Sequence, residues 1–128
     1  MTWIALALAL AAQAPPSPDA TQWELVGDDD IATLSIDPAR LTRTGDRVNL
    51  VLRLDMKTEE SDGLRVLLSF GVVDCAARTR TVYRMEGFRM DRSLIDVHDV
   101  PADRRETNLF GDGPLDTAVF ERACGRRS

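Results

Sequence analysis

The sequence predicts an α+β fold: about six antiparallel strands, then one C-terminal α-helix packed on the sheet, with one disulfide. Three observations predict it. Apolar and polar residues alternate through the middle of the chain, the mark of half-buried strands. The connections between these runs are too short for helical crossovers, so neighbouring strands must pair antiparallel. Beyond the last strand, Leu115, Ala118, Val119 and Arg122 recur at helical spacing, and the apolar stripe of a helix needs a sheet face to bury against.

Each element has its own signature. WELVG (Trp23–Gly27) is a short strand with Trp23 as a core aromatic, DDD (Asp28–Asp30) a turn, and IATLSID (Ile31–Asp37) the returning strand. PARLTRTGD is a connection ending in a Gly45-Asp46 turn. RVNLVLRLDM is the cleanest strand, with Val48, Leu50, Leu52, Leu54 and Met56 on one face. KTEESDG is a charged hairpin loop, and LRVLLSFGVVDC (Leu64–Cys75), apolar on both faces, is a central strand. In RTRTVYRMEG (Arg78–Gly87), alternation puts Arg78, Arg80, Val82 and Arg84 on one face. FRMDRSLIDV (Phe88–Val97) changes phase midway, as one strand with a bulge would. Pro101 to Asn108 is polar loop. The helix follows, with Asp112 or Asp116 as cap, Pro114 in its first turn and Gly125 as its stop.

The first residues stand apart from this pattern. MTWIALALALAAQA has no charged side chain, and its apolar stretch from Trp3 to Ala12 is far shorter than the roughly 20 residues that cross a bilayer. Residues 1–14 read as a secretory signal peptide, cut somewhere in 11–14. Residues 15–22 read as a Pro-rich spacer, 23–125 as the folded domain and 126–128 as a tail. No lipobox cysteine is present, so the expected product is an exported protein of the periplasm, cell surface or medium, not a lipoprotein and without a transmembrane segment in its mature part.

Composition narrows the function classes. The net charge is −5, with eleven acids against five bases from Asp19 to Asp62 and ten against eleven from Gly63 onward. Such a chain lacks the basic face that nucleic-acid binding requires. Cys75 and Cys124 are the only cysteines and His98 the only histidine, so the usual zinc sites cannot be built and no cofactor is expected. Two cysteines in an exported domain most simply form one disulfide, closing a loop of 49 residue steps worth roughly 4 kcal/mol.

The remaining candidates are few. Asp28, Asp29 and Asp30 lack the alternating spacing of a calcium loop. Asp96 and His98 share a strand face and could orient a base, but no serine stands in a nucleophile setting, so a small hydrolase using His98 is the least favoured reading. Arg78, Arg80 and Arg84 form the candidate protein-binding set, able to dock an anionic partner or a second copy of the domain. The alternative is a solvated face laced by acids such as Asp55, Asp74, Glu86 and Asp91.

The order of W-x-x-V-G-D-D-D, S-I-D-P-A-R-L-T-R-T-G-D-R-V, V-D-C-A-A-R-T-R and a final Cys after a short helix resembles the bacterial surface-adhesin protein E family. The match runs from Trp23 to Cys124, through Gly27, Asp29, Ile36, Asp37, Pro38, Arg43, Gly45, Val48, Asp74, Cys75 and Arg80. The resemblance implies an antiparallel sheet with a C-terminal helix, paired cysteines, and contact with extracellular-matrix or serum proteins of a host. The family's founding member is a lipoprotein, and this chain has no anchor cysteine. The expectation is therefore a non-catalytic envelope protein that binds another protein, with a periplasmic structural or assembly factor as the alternative.

Overall fold

A computed structural model describes residues 18–125. The predicted signal peptide and residues 15–17 of the predicted spacer lie outside the described residues, as does the 126–128 tail. Eight strands form one antiparallel sheet: β1 (Glu24–Asp28), β2 (Ala32–Ile36), β3 (Thr42–Thr44), β4 (Arg47–Met56), β5 (Val66–Asp74), β6 (Thr79–Phe88), β7 (Leu94–Asp99) and β8 (Thr107–Leu109). Among the described residues one α-helix, α1 (Pro114–Cys124), follows them. The main path is β1-β2-β4-β5-β6-β7, six strands as expected, with β3 beside β4 and β8 beside β6.

The two extra strands have a common origin. The long strands β4 and β6 each carry two partners on one outer edge. Beside β4, pairing runs through β2, continues with the Asp37 N–H to the Val51 carbonyl at 3.1 Å, then breaks at Pro38 and resumes in β3. Beside β6, it runs through β7 and the Val100 N–H to the Tyr83 carbonyl, breaks at Pro101 and resumes in β8. Proline has no N–H for the ladder, so each interrupted strand makes one 3-10 turn, Pro38–Arg40 or Ala102–Arg104, before rejoining. The segment expected to be loop from Pro101 to Asn108 therefore contains a turn and the start of a strand.

Phe88–Val97 is not one bulged strand. It is the end of β6, a turn in which Arg92 takes φ 72°, and the start of β7. The phase change in its apolar pattern came from a reversal of the chain.

Helix α1 covers the half of one sheet face built from β1, β2 and β4. Val119, Phe120 and Ala123 close over Leu34, Ile36, Val48, Leu50, Leu52 and Val73. Neither predicted aspartate is the N-cap. Gly113 takes that position with Pro114 in the first turn, while Asp116 Oδ2 accepts the N–H of Gly111 at 2.7 Å. The helix stops at Gly125, whose φ of 84° lies in the left-handed region that glycine reaches without strain.

The opposite face has a smaller core of Val66, Leu68 and Phe88, against which Trp23 and Phe70 pack. Trp23 precedes β1 and is half-buried there, on the face away from the helix. Its indole N–H donates to the Pro18 carbonyl at 2.5 Å. The nearly buried Arg53 donates to the same carbonyl at 3.1 Å and to Asp19 at 3.2 Å, and Arg92 reaches Asp19 at 2.9 Å. The hydrogen bond from Arg92 holds the Asp19 carboxyl below its ordinary value. Pro18 and Asp19, expected in the spacer, thus belong to the packed unit.

One irregularity reorganises β6. Phe70 pairs with Arg84 but Gly71 pairs with Val82, so Tyr83 is an extra residue and the strand changes face there. At this place a Cβ on Gly71 would stand 2.8 Å from the Thr81 carbonyl oxygen. Backbone cannot move aside as a side chain can. Gly71→Ala is therefore expected to destabilise the protein by about 1–3 kcal/mol, read as a lower urea midpoint at unchanged slope. An unchanged midpoint would show that the β5–β6 pair has room to open.

Candidate functional site

The bulge at Tyr83 divides the arginine set. The face-sharing expected of Arg78, Arg80 and Arg84 does not hold, because strict alternation stops at the extra residue. Arg80 pairs with Val73 and lies on the helix side, whereas Arg84 pairs with Phe70 and lies on the other side. Arg78 precedes β6 in a turn, with φ 57°.

Each arginine has a different neighbourhood. Arg84 is bonded to Glu86 and Asp99, both at 2.9 Å, and passes within 5.8 Å of the Phe70 ring. The Asp99 and Glu86 hydrogen bonds raise its pKa, and they neutralise its field locally. Arg78 lies over the Phe120 ring at 4.1 Å, and its carbonyl accepts the Phe110 N–H at 3.0 Å. Phe110 and Phe120 themselves meet edge to face, 5.3 Å between centroids. The Arg80 guanidinium approaches the Phe110 ring at 5.9 Å and makes no hydrogen bond or ion pair with any described residue. Arg78 and Arg80 therefore flank an aromatic pair at the junction of β6, β8 and α1, and they alone of the three keep unneutralised charge.

Arg80 also lines two hollows that share Val82 and Met85. Because α1 covers only half of its sheet face, a trough remains between the first turn of the helix and strands β4 to β6. The inner hollow, about 280 Å³, is floored by Leu34, Leu52, Leu54, Leu67, Val82 and Met85 and walled by Leu115 and Val119. The outer hollow, about 260 Å³, shares Arg80, Val82 and Met85 and adds Val100, Arg104, Glu106 and Asn108. Pairing of β8 with β6 sets Asn108 directly opposite Arg80. Reading by alternation missed Arg104 and Asn108, since a three-residue strand after a proline shows no period. Asn108 and Leu109 in an otherwise charged loop were the only sign.

The remaining candidates are placed as follows. Cys75 and Cys124 are joined in a disulfide from the end of β5 to the last residue of α1. His98 is exposed on β7, opposite Met85. Asp96 spends its carboxylate on the Val97 N–H. Asp28 binds Lys57 and Thr33, and Asp29 accepts the Ile31 and Ala32 N–H groups. The hydrogen bonds from Lys57 and from the Ala32 backbone, respectively, lower these two carboxyl pKa values. Asp28 thus ends β1 and Asp29 opens the turn, with both carboxylates in use. Among the described residues, no three His, Cys, Asp or Glu side chains converge on one point.

No protein-family model and no curated protein matches the chain. Solved structures do. The chain is similar to protein E of Haemophilus influenzae in its crystal form II, with a TM-score of 0.58 and 14% identity over 87% of this chain and 93% of that one. A second structure of the same protein gives a TM-score of 0.51 and 14% identity, covering 88% and 92%. The fold is shared across nearly the whole of both chains, in agreement with the resemblance carried by the ordered residues from Trp23 to Cys124.

Proposed function

We propose that the chain is an exported, non-catalytic module of the cell envelope that works by binding another protein. The fold shared with protein E carries this reading. One further feature supports it. A disulfide persists in oxidising compartments, which fits a protein that leaves the cytoplasm. Among the described residues no helix is long and apolar enough to cross a membrane.

The binding surface we assign is the helix-side junction that displays Arg78 and Arg80. Arginine is favoured at interfaces, and here its flat guanidinium is already ordered against Phe110 and Phe120. Serum or extracellular-matrix proteins of a host are the partner class the resemblance suggests. The test uses the full chain expressed in a bacterium, in two readouts. Intact cells should expose the domain to added protease, and the purified protein should be retained on immobilised serum or matrix proteins. Arg78→Glu with Arg80→Glu should reduce retention at least ten-fold, while Arg84→Glu, already neutralised by its acids, should not. Protection from protease on intact cells would leave the periplasmic structural factor as the reading. Equal retention of the double variant would remove the arginine surface.

A further inference from the structure

The trough beside α1 is more than the interval between helix and sheet. Its inner hollow is lined by eight aliphatic or thioether side chains and only three polar residues, Ser69, Arg80 and Asp116. Asp116 is occupied, since its Oδ2 accepts the Gly111 N–H. Arg80 is half-buried and without a carboxylate or carbonyl partner among the described residues. A cation set beside an apolar hollow, unpaired, is what an amphipathic anion completes. We propose that the trough binds a small aliphatic carboxylate, with its chain in the inner hollow and its carboxylate on Arg80.

Charge and size select this class. A guanidinium pairs with a planar carboxylate through two parallel hydrogen bonds. The outer hollow adds Arg104 and Asn108 as further donors against one acid, Glu106, so the carboxylate end is favoured there. The chain end is favoured inside, where Leu54, Leu67, Val82, Met85 and Leu115 offer no competing polar partner. The inner hollow, about 280 Å³, is at the lower limit of ligand pockets, roughly 300–1,000 Å³. That suits a chain of about ten carbons and is too small for a nucleotide. The site shares Arg80 with the surface proposed to bind a protein, but the two readings fail separately because their probes differ and because Arg78 lines only the protein surface.

Decanoate is the probe, with decanol and acetate as controls. Titration of the purified protein should give one site with a dissociation constant on the order of 0.1 mM for decanoate, at least ten-fold weaker binding for decanol, and none for acetate. Amide NMR shifts should concentrate at Leu67, Ser69, Val82, Met85 and Leu115. Arg80→Gln should weaken decanoate about ten-fold and leave decanol unchanged, and Arg80→Lys should recover most of the loss. Met85→Trp, which fills the floor, should abolish both, with its fold checked by an unchanged Trp23 environment and urea midpoint. Equal affinity for decanoate and decanol, equal binding by Arg80→Gln, or shifts outside the trough would each overturn the proposal.

Discussion

Replacing Cys75 and Cys124 together by alanine is expected to lower the unfolding free energy by about 4 kcal/mol. The bond closes 49 residue steps, and chain-entropy arithmetic for a loop of that size sets the magnitude. It acts at the C-terminal end of a helix otherwise held by side-chain contacts. Helix α1 is held by the burial of Val119, Phe120 and Ala123, by the Phe110 and Arg78 contacts on Phe120, by the Gly111 N–H to Asp116 and by a partly exposed ion pair, Arg122 to Glu24. The Arg122 hydrogen bond lowers the Glu24 pKa, but solvent screens an exposed pair of this kind and it holds the helix only weakly. The disulfide anchors the last residue of the helix to the end of β5, the strand in the middle of the sheet.

Alanine is the better replacement because both sulfurs pack against the main core, where a serine hydroxyl would need a partner. Thermal unfolding should move down by on the order of 20 °C for a domain of this size. Two controls separate the bond from the side chains. Reducing the wild-type protein should reproduce the loss without changing a residue. Each single variant should lose nearly as much as the double one, since either removes the same bond. A reduced wild type that unfolds at the same urea concentration as the oxidised protein would refute the assignment. In native-state hydrogen exchange, the reduced protein should lose protection in α1 first, because its remaining ties are side-chain contacts.

How much of this was legible depended on the length of each pattern. RVNLVLRLDM coincides with β4, because ten residues show alternation five times over. The apolar stretch from Leu64 to Cys75 was recognisable as the central strand, and the cysteine pair and Gly125 were readable from residue type alone. β3 and β8 were not, since three residues cannot establish a period. Tyr83 was not either. Its bulge is settled by the close approach of the β6 backbone to Gly71, a contact between strands that leaves no trace in local pattern. That single unseen residue separated Arg84 from Arg80, and with it the face that Arg78, Arg80 and Arg84 were expected to share. Arg80 was one of the three arginines named, but its setting beside the trough depends on how far α1 extends over the sheet. Where a helix ends on a sheet face is a tertiary fact, and the sequence records only where the helix itself begins and ends.

The helix stripe was read as Leu115, Ala118, Val119 and Arg122, and it omitted the residue with the second large expected effect. Phe120→Ala should destabilise the protein by about 3–5 kcal/mol. Phe120 is 6% exposed and closes over the main core beside Val119 and Ala123. Its ring meets Phe110 edge to face at 5.3 Å, and the Arg78 guanidinium covers it at 4.1 Å. Truncation removes the ring from all three and leaves a cavity that α1, tied at Cys124, cannot move to fill. The ring pair is worth about 0.5–1.5 kcal/mol beyond burial, and the arginine contact about 0.5–1 kcal/mol at an exposed position. Most of the loss must therefore come from the cavity. That partition is testable with urea midpoints. Phe120→Leu should cost less than about 1.5 kcal/mol, and Arg78→Ala less than about 1 kcal/mol. The double variant Arg78→Ala/Phe120→Ala should fall short of the sum, because each removes the same contact. A loss under about 1 kcal/mol for Phe120→Ala would mean that the helix re-seats on the sheet. The trough beside it would then be a flexible opening, where a fixed wall of Leu115 and Val119 is required.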